Sequence, residues 1–191
     1  MVKVSNRFDN RSVSTFKKDI KFGTMLEKYF FNKWLEIAKT INTKIRWEDN
    51  GCGNDGEFIA KGNTAGADYK VNDVPLEIKW VPTAGKFTLK ENDLRAYIRE
   101  GADILFIYNT GKAQLRKPKD YDLPKHIELI EENESDIRWG IMQVSDVKKL
   151  YDFAKENDLF RPINYMGGKS AIVLKSKDFD KYFVEREWTI K

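Results

Sequence analysis

The stretch from Ala67 to Val81 restricts the fold more than any other part of the chain. Ala67-Asp68-Tyr69-Lys70-Val71 and Val74-Pro75-Leu76-Glu77-Ile78-Lys79-Trp80-Val81 flank the dipeptide Asn72-Asp73. Asn and Asp tolerate the left-handed conformation that a two-residue hairpin loop needs at both central positions. With that loop, Val71 pairs with Val74 and Asp68 falls opposite Glu77. Ala67, Tyr69, Val71, Val74, Leu76, Ile78 and Trp80 then share one apolar face, and Asp68, Lys70, Pro75, Glu77 and Lys79 share the other. A slip of one residue would mix the two sets, so the register is strongly specified. Pro75 donates no hydrogen bond and loosens the ladder near the turn.

Cross-strand neighbours stand about 4.5–5.5 Å apart at Cβ, and like charges facing one another there are destabilising. Asp68 and Glu77 therefore ask for a cation between them. Their hard oxygen atoms suit Mg²⁺, which takes ligands at about 2.0–2.1 Å and completes its shell with water and phosphate. Lys79 points to the same side and offers a point charge to a phosphate oxygen or a water.

The surrounding pattern is α/β. Phe22, Leu26, Phe30, Trp34, Ile37 and Ile41 recur at spacings of three and four, which predicts an amphipathic helix from Phe16 to about Ile41. A strand is expected at Lys44 to Trp47, then a Gly/Asn-rich loop from Asp49 to Gly56 and a short run from Glu57 to Lys61. Thr88-Leu89-Lys90-Glu91 has the spacing of a capping box. The helix it opens carries Leu94, Tyr97 and Ile98 on one face and stops at Gly101. Ile104 to Tyr108 reads as a strand buried on both faces, parallel to the strand before the helix. Asn109 to Asp136 is charged, contains Pro118 and Pro124, and reads as an excursion from the core. Trp139 to Val144 is a further expected strand, with Ser145 capping a helix to about Glu156 and Ala171 to Leu174 a strand near the end.

The length of 191 residues suits one domain, divided here into a core at about 16–108, an insertion at about 109–136 and an α/β extension at 137–191. No run approaches the roughly 18 apolar residues of a membrane span. Met1 to Lys21 is basic and polar, unlike a secretory signal. The single cysteine, Cys52, excludes an intramolecular disulfide and a cysteine-built zinc site. A reducing, cytoplasmic location is the expectation. The net charge of +4 is compatible with a polyanionic partner without requiring one. His126, the only histidine, reads as a surface residue. Gly167-Gly168-Lys169 lacks the rest of a P-loop and reads as a turn. Trp34, Trp47, Trp139 and Trp188 read as wholly or partly buried.

Gly66-Ala67-Asp68 followed by Pro75-Leu76-Glu77-Ile78-Lys79-Trp80 resembles the PD-(D/E)XK nucleases, with Ala67 where the family name has proline. The resemblance implies a restriction endonuclease-like core, a mixed central sheet flanked by helices, in the order helix, three strands, helix, strand. It implies Mg²⁺, for which Mn²⁺ substitutes, held by Asp68, Glu77 and Ile78, the residue between the acid and the lysine. Lys79 would position the attacking water or the scissile phosphate. Gly23-Thr24-Met25-Leu26-Glu27 is similar to the first-helix element whose glutamate completes the metal shell, which brings Glu27 into the set.

The activity implied is endonucleolytic hydrolysis of DNA. Exonuclease and Holliday-junction resolvase are the alternatives within the same fold, and a homodimer is the common form where both strands are cut. Such proteins act inside the cell, bound to the nucleoid or encoded by a phage. Lys86 and Lys90 at the mouth of the next helix are candidate phosphate contacts. So are Arg7, Arg11, Lys17, Lys18 and Lys21 of the N-terminal segment and Lys112, Arg116, Lys117 and Lys119 of the insertion. A catalytically silent nucleic-acid-binding module and a protein-interaction domain are the readings from other classes.

Overall fold

The computed structural model describes residues 12–50, 67–163, 168–175 and 181–188. It is a mixed α/β structure with four α-helices among the described residues. Six strands form one sheet and three form a second.

Helix α1 runs from Val13 to Ile41, and the Ser12 side chain accepts the Thr15 amide at 3.1 Å to cap it. Its apolar stripe of Phe22, Leu26, Phe30, Phe31, Trp34, Leu35 and Ala38 is buried, as the spacing predicts. Strand β1 (Trp47–Asp49) follows, three residues later than the expected start. Arg46 meets the hairpin turn there: its amide donates to Asn72 Oδ1 at 3.0 Å, and its carbonyl accepts from the Asn72 amide at 2.9 Å.

Strands β2 (Tyr69–Val71) and β3 (Val74–Val81) are antiparallel, with Val71 opposite Val74 and Tyr69 opposite Leu76. Asn72 and Asp73 both have positive φ, 48° and 69°, the conformation of a two-residue turn that matches strand twist. The apolar face of this hairpin packs on α1. Tyr69 stacks on Phe31 with ring centroids 3.7 Å apart, and Trp80 lies 4.4 Å from Phe30. Aromatic pairs of this kind add about 0.5–1.5 kcal/mol each beyond their buried area. Ala67 is the exception to the face assignment, because it packs into the second core cluster instead.

The chain next forms β4 (Lys86–Lys90), helix α2 (Glu91–Glu100) and β5 (Asp103–Asn109). β5 is parallel to β3, as expected of a strand–helix–strand unit, with Leu76 level with Asp103 and Lys79 level with Phe106. The expected capping box does not form. Thr88 is part of β4, and Lys90 occupies the cap position without a side-chain bond. Phe87 and Leu89 explain the preference, since both are buried in the second core cluster. Two such burials are worth about 1.5–3 kcal/mol each, against about 1 kcal/mol for a cap. Gly101, at φ 70°, ends α2 in the left-handed conformation.

The region 109–136 is not an excursion. It forms helix α3 (Leu123–Glu132), capped by Asp122, and buries Leu115 and Ile130 against α1. Tyr121 donates to Asp19 Oδ1 at 2.6 Å, and Lys117 pairs with the same carboxylate. His126 is only 3% exposed, with its ring 5.5 Å from that of Phe22. His126 and Ile130 stand four residues apart and so share the face of α3 that closes on α1.

Strand β6 (Ile137–Met142) lies antiparallel to β5. Helix α4 spans Val144–Glu156, and Ser145 falls inside its first turn instead of capping it. Asp103 supplies the cap from β5, its Oδ1 accepting the Val144 amide at 2.8 Å. Strands β7 (Arg161–Ile163) and β8 (Lys169–Lys175) join β4 in the second sheet, and β9 (Arg186–Glu187) completes the first. Gly168 has φ 73° between β7 and β8, in keeping with a turn. Gly140 on β6 admits the Phe183 ring so closely that a Cβ would stand 2.0 Å from it. Trp34, Trp139 and Trp188 are buried and Trp47 is half exposed. Arg7, Arg11, Cys52 and the run from Glu57 to Lys61 lie outside the described residues. No helix among the described residues is long and apolar enough to cross a membrane.

Burial holds the His126 imidazole below its ordinary pKa of 6.5. The folded state thus binds fewer protons than the unfolded state, so its stability is full above about pH 6.5 and falls as the pH drops below that. Unfolding by urea between about pH 7 and pH 5 should show the native chain losing stability relative to His126→Leu, whose difference from wild type would otherwise stay constant.

Candidate active site

The polar face of β3 turns toward α2. The ladder between β2 and β3 ends at Tyr69–Leu76, and Asp68 satisfies the next donor with its side chain: the Ile78 amide donates to Asp68 Oδ2 at 2.8 Å. This bond fixes the Asp68 carboxylate at the level where Glu77 and Lys79 flank Ile78. The Ile78 side chain itself is buried in the apolar cluster under α1, so only its main chain meets the acids.

Glu77 is a buried carboxylate, 6% exposed, and its Oε1 takes two donors. The Tyr97 hydroxyl donates at 2.8 Å, and the Lys79 ammonium binds the same oxygen. Lys79 Nζ also stands 5.4 Å from the centre of the Tyr97 ring, which adds a cation–π attraction. The lysine is thereby held between a charge and a ring, while its side chain remains 30% exposed.

Glu27 reaches the same place from α1, one position after the buried Leu26 and at the border of the apolar stripe. Burial raises its pKa, the Lys79 ammonium lowers it and Glu77 raises it. Asp68 is held well above its ordinary pKa of 3.8, first by burial and then by repulsion from Glu77 and Glu27. Lys79 and the Ile78 amide oppose that shift in part. Burial pulls Lys79 down, but Glu77, Tyr97 and Asp68 outweigh it and keep the lysine charged well beyond its usual range. Burial also raises the Tyr97 hydroxyl, which remains a proton donor.

The structure thus brings Glu27, Asp68, Glu77 and Lys79 into one electrostatically coupled group, drawn from α1, the start of β2 and β3. Among the described residues no three His, Cys, Asp or Glu side chains stand at the spacing of a ready-made metal cluster. The donor chemistry nevertheless fits a hard divalent cation. The carboxylates supply only oxygen, and burial, with repulsion among them, raises the pKa values of Glu27 and Asp68 despite the nearby Lys79. The chain gave no match to a protein-family model, a curated protein or a solved structure.

The remaining candidates lie elsewhere. Lys17 and Lys18 are exposed on the first turns of α1. Lys86 is on β4, five residues ahead of the start of α2, and Lys90 pairs with Asp93 at 3.1 Å. Tyr97 is the site residue that the sequence reading assigned to packing alone. The signal available was its hydroxyl, because a tyrosine among Leu94 and Ile98 on a buried face needs a polar partner.

Asp68→Asn keeps an acceptor for the Ile78 amide and removes the charge. Because the folded pKa of Asp68 is raised, its favourable contribution is present below about pH 3.8 and is lost as the pH rises through the folded value. Without divalent cations, the variant should therefore melt higher than wild type at about pH 8, by about 2–4 °C for each kcal/mol of repulsion relieved. The two should converge near about pH 4. A lower melting temperature for the variant at both pH values would contradict the repulsion.

Proposed function

We propose that this chain is a cation-dependent deoxyribonuclease of the PD-(D/E)XK type, cutting phosphodiester bonds in DNA as an endonuclease on a restriction endonuclease-like core. One observation carries the reading. Glu27 of α1 meets Asp68, Glu77 and Lys79 of the β2–β3 hairpin in one partly buried group, with Asp68 and Glu27 both held toward the protonated state. A fold gains nothing by gathering like charges away from water. The order of α1, the antiparallel β2–β3 hairpin, α2 and the parallel β5 supports the same assignment; β4 is an added strand that leaves for the second sheet.

Asp68, Glu77 and Glu27 would hold Mg²⁺ or Mn²⁺, which when bound polarises a phosphate and lowers the pKa of water. The chain's own groups do the rest. The Ile78 amide orients Asp68, and the Tyr97 hydroxyl orients Glu77. Lys79 stays charged and presents its ammonium to the non-bridging oxygens, where negative charge grows in the transition state. α1 packs on one face of β3 and Tyr97 of α2 meets Glu77 on the other, where partial burial strengthens these interactions.

A non-catalytic nucleic-acid-binding module is the second reading, favoured by the direct hold of Lys79 on Glu77. Titrating Mg²⁺ and Mn²⁺ against supercoiled, linear, single-stranded and four-way-junction DNA separates the two and ranks the substrates. Cleavage should require the cation and stop in EDTA; binding without cutting under every cation would favour the module. Lys79→Ala should lower the cleavage rate by about 100- to 1000-fold with DNA binding retained. Glu27→Gln should lower it by about tenfold or more and raise the cation concentration for half-maximal rate. Cleavage by the Lys79 variant near the native rate would remove the lysine from the chemistry.

A further inference from the structure

The main chain just ahead of β2 leaves the β2–β3 ladder at a defined point. Val71 opposite Val74 closes the two-residue turn, and Tyr69 opposite Leu76 is the last pair. Along an antiparallel ladder, pairs that exchange both hydrogen bonds alternate with pairs that exchange none. Counted from the turn, the next exchanging pair would be Ala67 with Ile78, and the ladder stops short of it. The Ile78 amide donates to Asp68 Oδ2 at 2.8 Å instead, and the Ala67 amide donates to Glu100 Oε2 at 3.2 Å. Asn50 Nδ2 donates to the Ala67 carbonyl at 2.9 Å, and the Asn50 amide donates to the Asp68 carbonyl at 3.1 Å.

Three side chains thus take the places that a continued ladder would fill. Asp68 accepts the Ile78 amide, while Glu100 and Asn50 hold the Ala67 residue that stands off the strand. Ala67 is wholly buried, so its amide and its carbonyl both need partners. Were Ala67 paired with Ile78, the Ile78 amide would be spent on a carbonyl and Asp68 would lose the bond that fixes its carboxylate. Helix α2 does not call for Glu100 on its own account. Glu100 is the last residue of α2, at the negative end of the helix dipole, where a cation is preferred. Its Oε1 pairs with Arg99 at 3.3 Å, and Oε2 is turned to Ala67.

We propose that Glu100 and Asn50 are positioning residues for Asp68, a clamp that keeps Ala67 off β3 and so frees the Ile78 amide to orient the carboxylate toward the divalent cation. The cation rests on the functional reading above; the orientation of Asp68 does not. Groups that orient a metal ligand in this way contribute about 10- to 100-fold in metal affinity or activity.

The test joins hydrogen exchange at the Ile78 amide, followed by NMR without divalent cations, to Mn²⁺ affinity measured by calorimetry. Glu100→Ala removes the acceptor of the Ala67 amide. It should speed exchange at Ile78 by about tenfold or more, leave the Leu105 amide of β5 at its native rate, and weaken Mn²⁺ binding by about 10- to 100-fold. Glu100→Gln keeps an acceptor at the same reach and should return both values to near native, which a role for the charge would not allow. Asn50→Ala leaves the Ala67 amide its acceptor and should show the same two effects, including where Glu100→Ala does not fold. Native exchange at Ile78 in the alanine variants, acceleration at Ile78 and Leu105 alike, or native Mn²⁺ affinity overturns the clamp. So does Glu100→Gln behaving as Glu100→Ala, or a wild type that binds no Mn²⁺. A wild type that binds Mn²⁺ and cuts no DNA, with both effects present in the variants, upholds the clamp and overturns the nuclease reading. Unchanged Ile78 exchange in the variants of a chain that does cut DNA overturns the clamp and leaves the nuclease reading standing.

Discussion

The register of the hairpin from Asp68 to Val81 is the constraint on which the rest of the structure depends. Two positive-φ residues, Asn72 and Asp73, fix it. With it fixed, Tyr69, Leu76, Ile78 and Trp80 must face α1, and Glu77 and Lys79 must face α2. A slip of one residue would send Ile78 toward α2 and Glu77 into the aromatic layer of Phe30 and Phe31. Packing and chemistry are therefore set by one decision, and neither can be adjusted without the other. The parallel β5 then pairs with β3 along its other edge from Leu76 to Val81.

The site carries an imbalance that the fold tolerates and does not remove. Glu27, Asp68 and Glu77 face a single ammonium, and that ammonium is fastened to Glu77. In a medium of low effective dielectric such an arrangement favours protonation of Glu27 and Asp68 or the arrival of further positive charge. Tyr97 makes the imbalance survivable, since its hydroxyl satisfies Glu77 and its ring steadies Lys79.

Much of this was legible in the sequence because it rests on short-range rules. The α1 stripe, the turn residues, the alternation along β3 and the apolar run of β5 each follow from periodicity within a few residues. What escaped depended on contacts between distant segments. Thr88 and Glu91 have capping-box spacing, yet Phe87 and Leu89 find a core made with β8 and draw Thr88 into a strand. Ser145 gave way as a cap to Asp103, which approaches from another strand. His126 looked exposed because charges surround it in sequence, whereas its neighbours in space are Phe22 and the rest of the α1 stripe. Tyr97 was read as an apolar-face residue, and its bond to Glu77 spans a helix and two strands. At the site, the pairing of acids and lysine was visible in the motif, while the hold of Lys79 on Glu77 was not.

The central claim is that the three carboxylates form a site completed by a divalent cation. The most direct measurement is the thermal unfolding of the native chain at neutral pH, in EDTA and across a Mn²⁺ or Mg²⁺ titration. Wild type should gain melting temperature with saturation, by RT ln(1 + [L]/Kd), or about 2.7 kcal/mol at a hundredfold excess over Kd. The gain should disappear in Asp68→Asn and Glu77→Gln, with Asp68→Asn already as stable in EDTA as wild type or more so. A melting temperature that ignores both cations in wild type, or that rises equally in the two variants, would contradict the site.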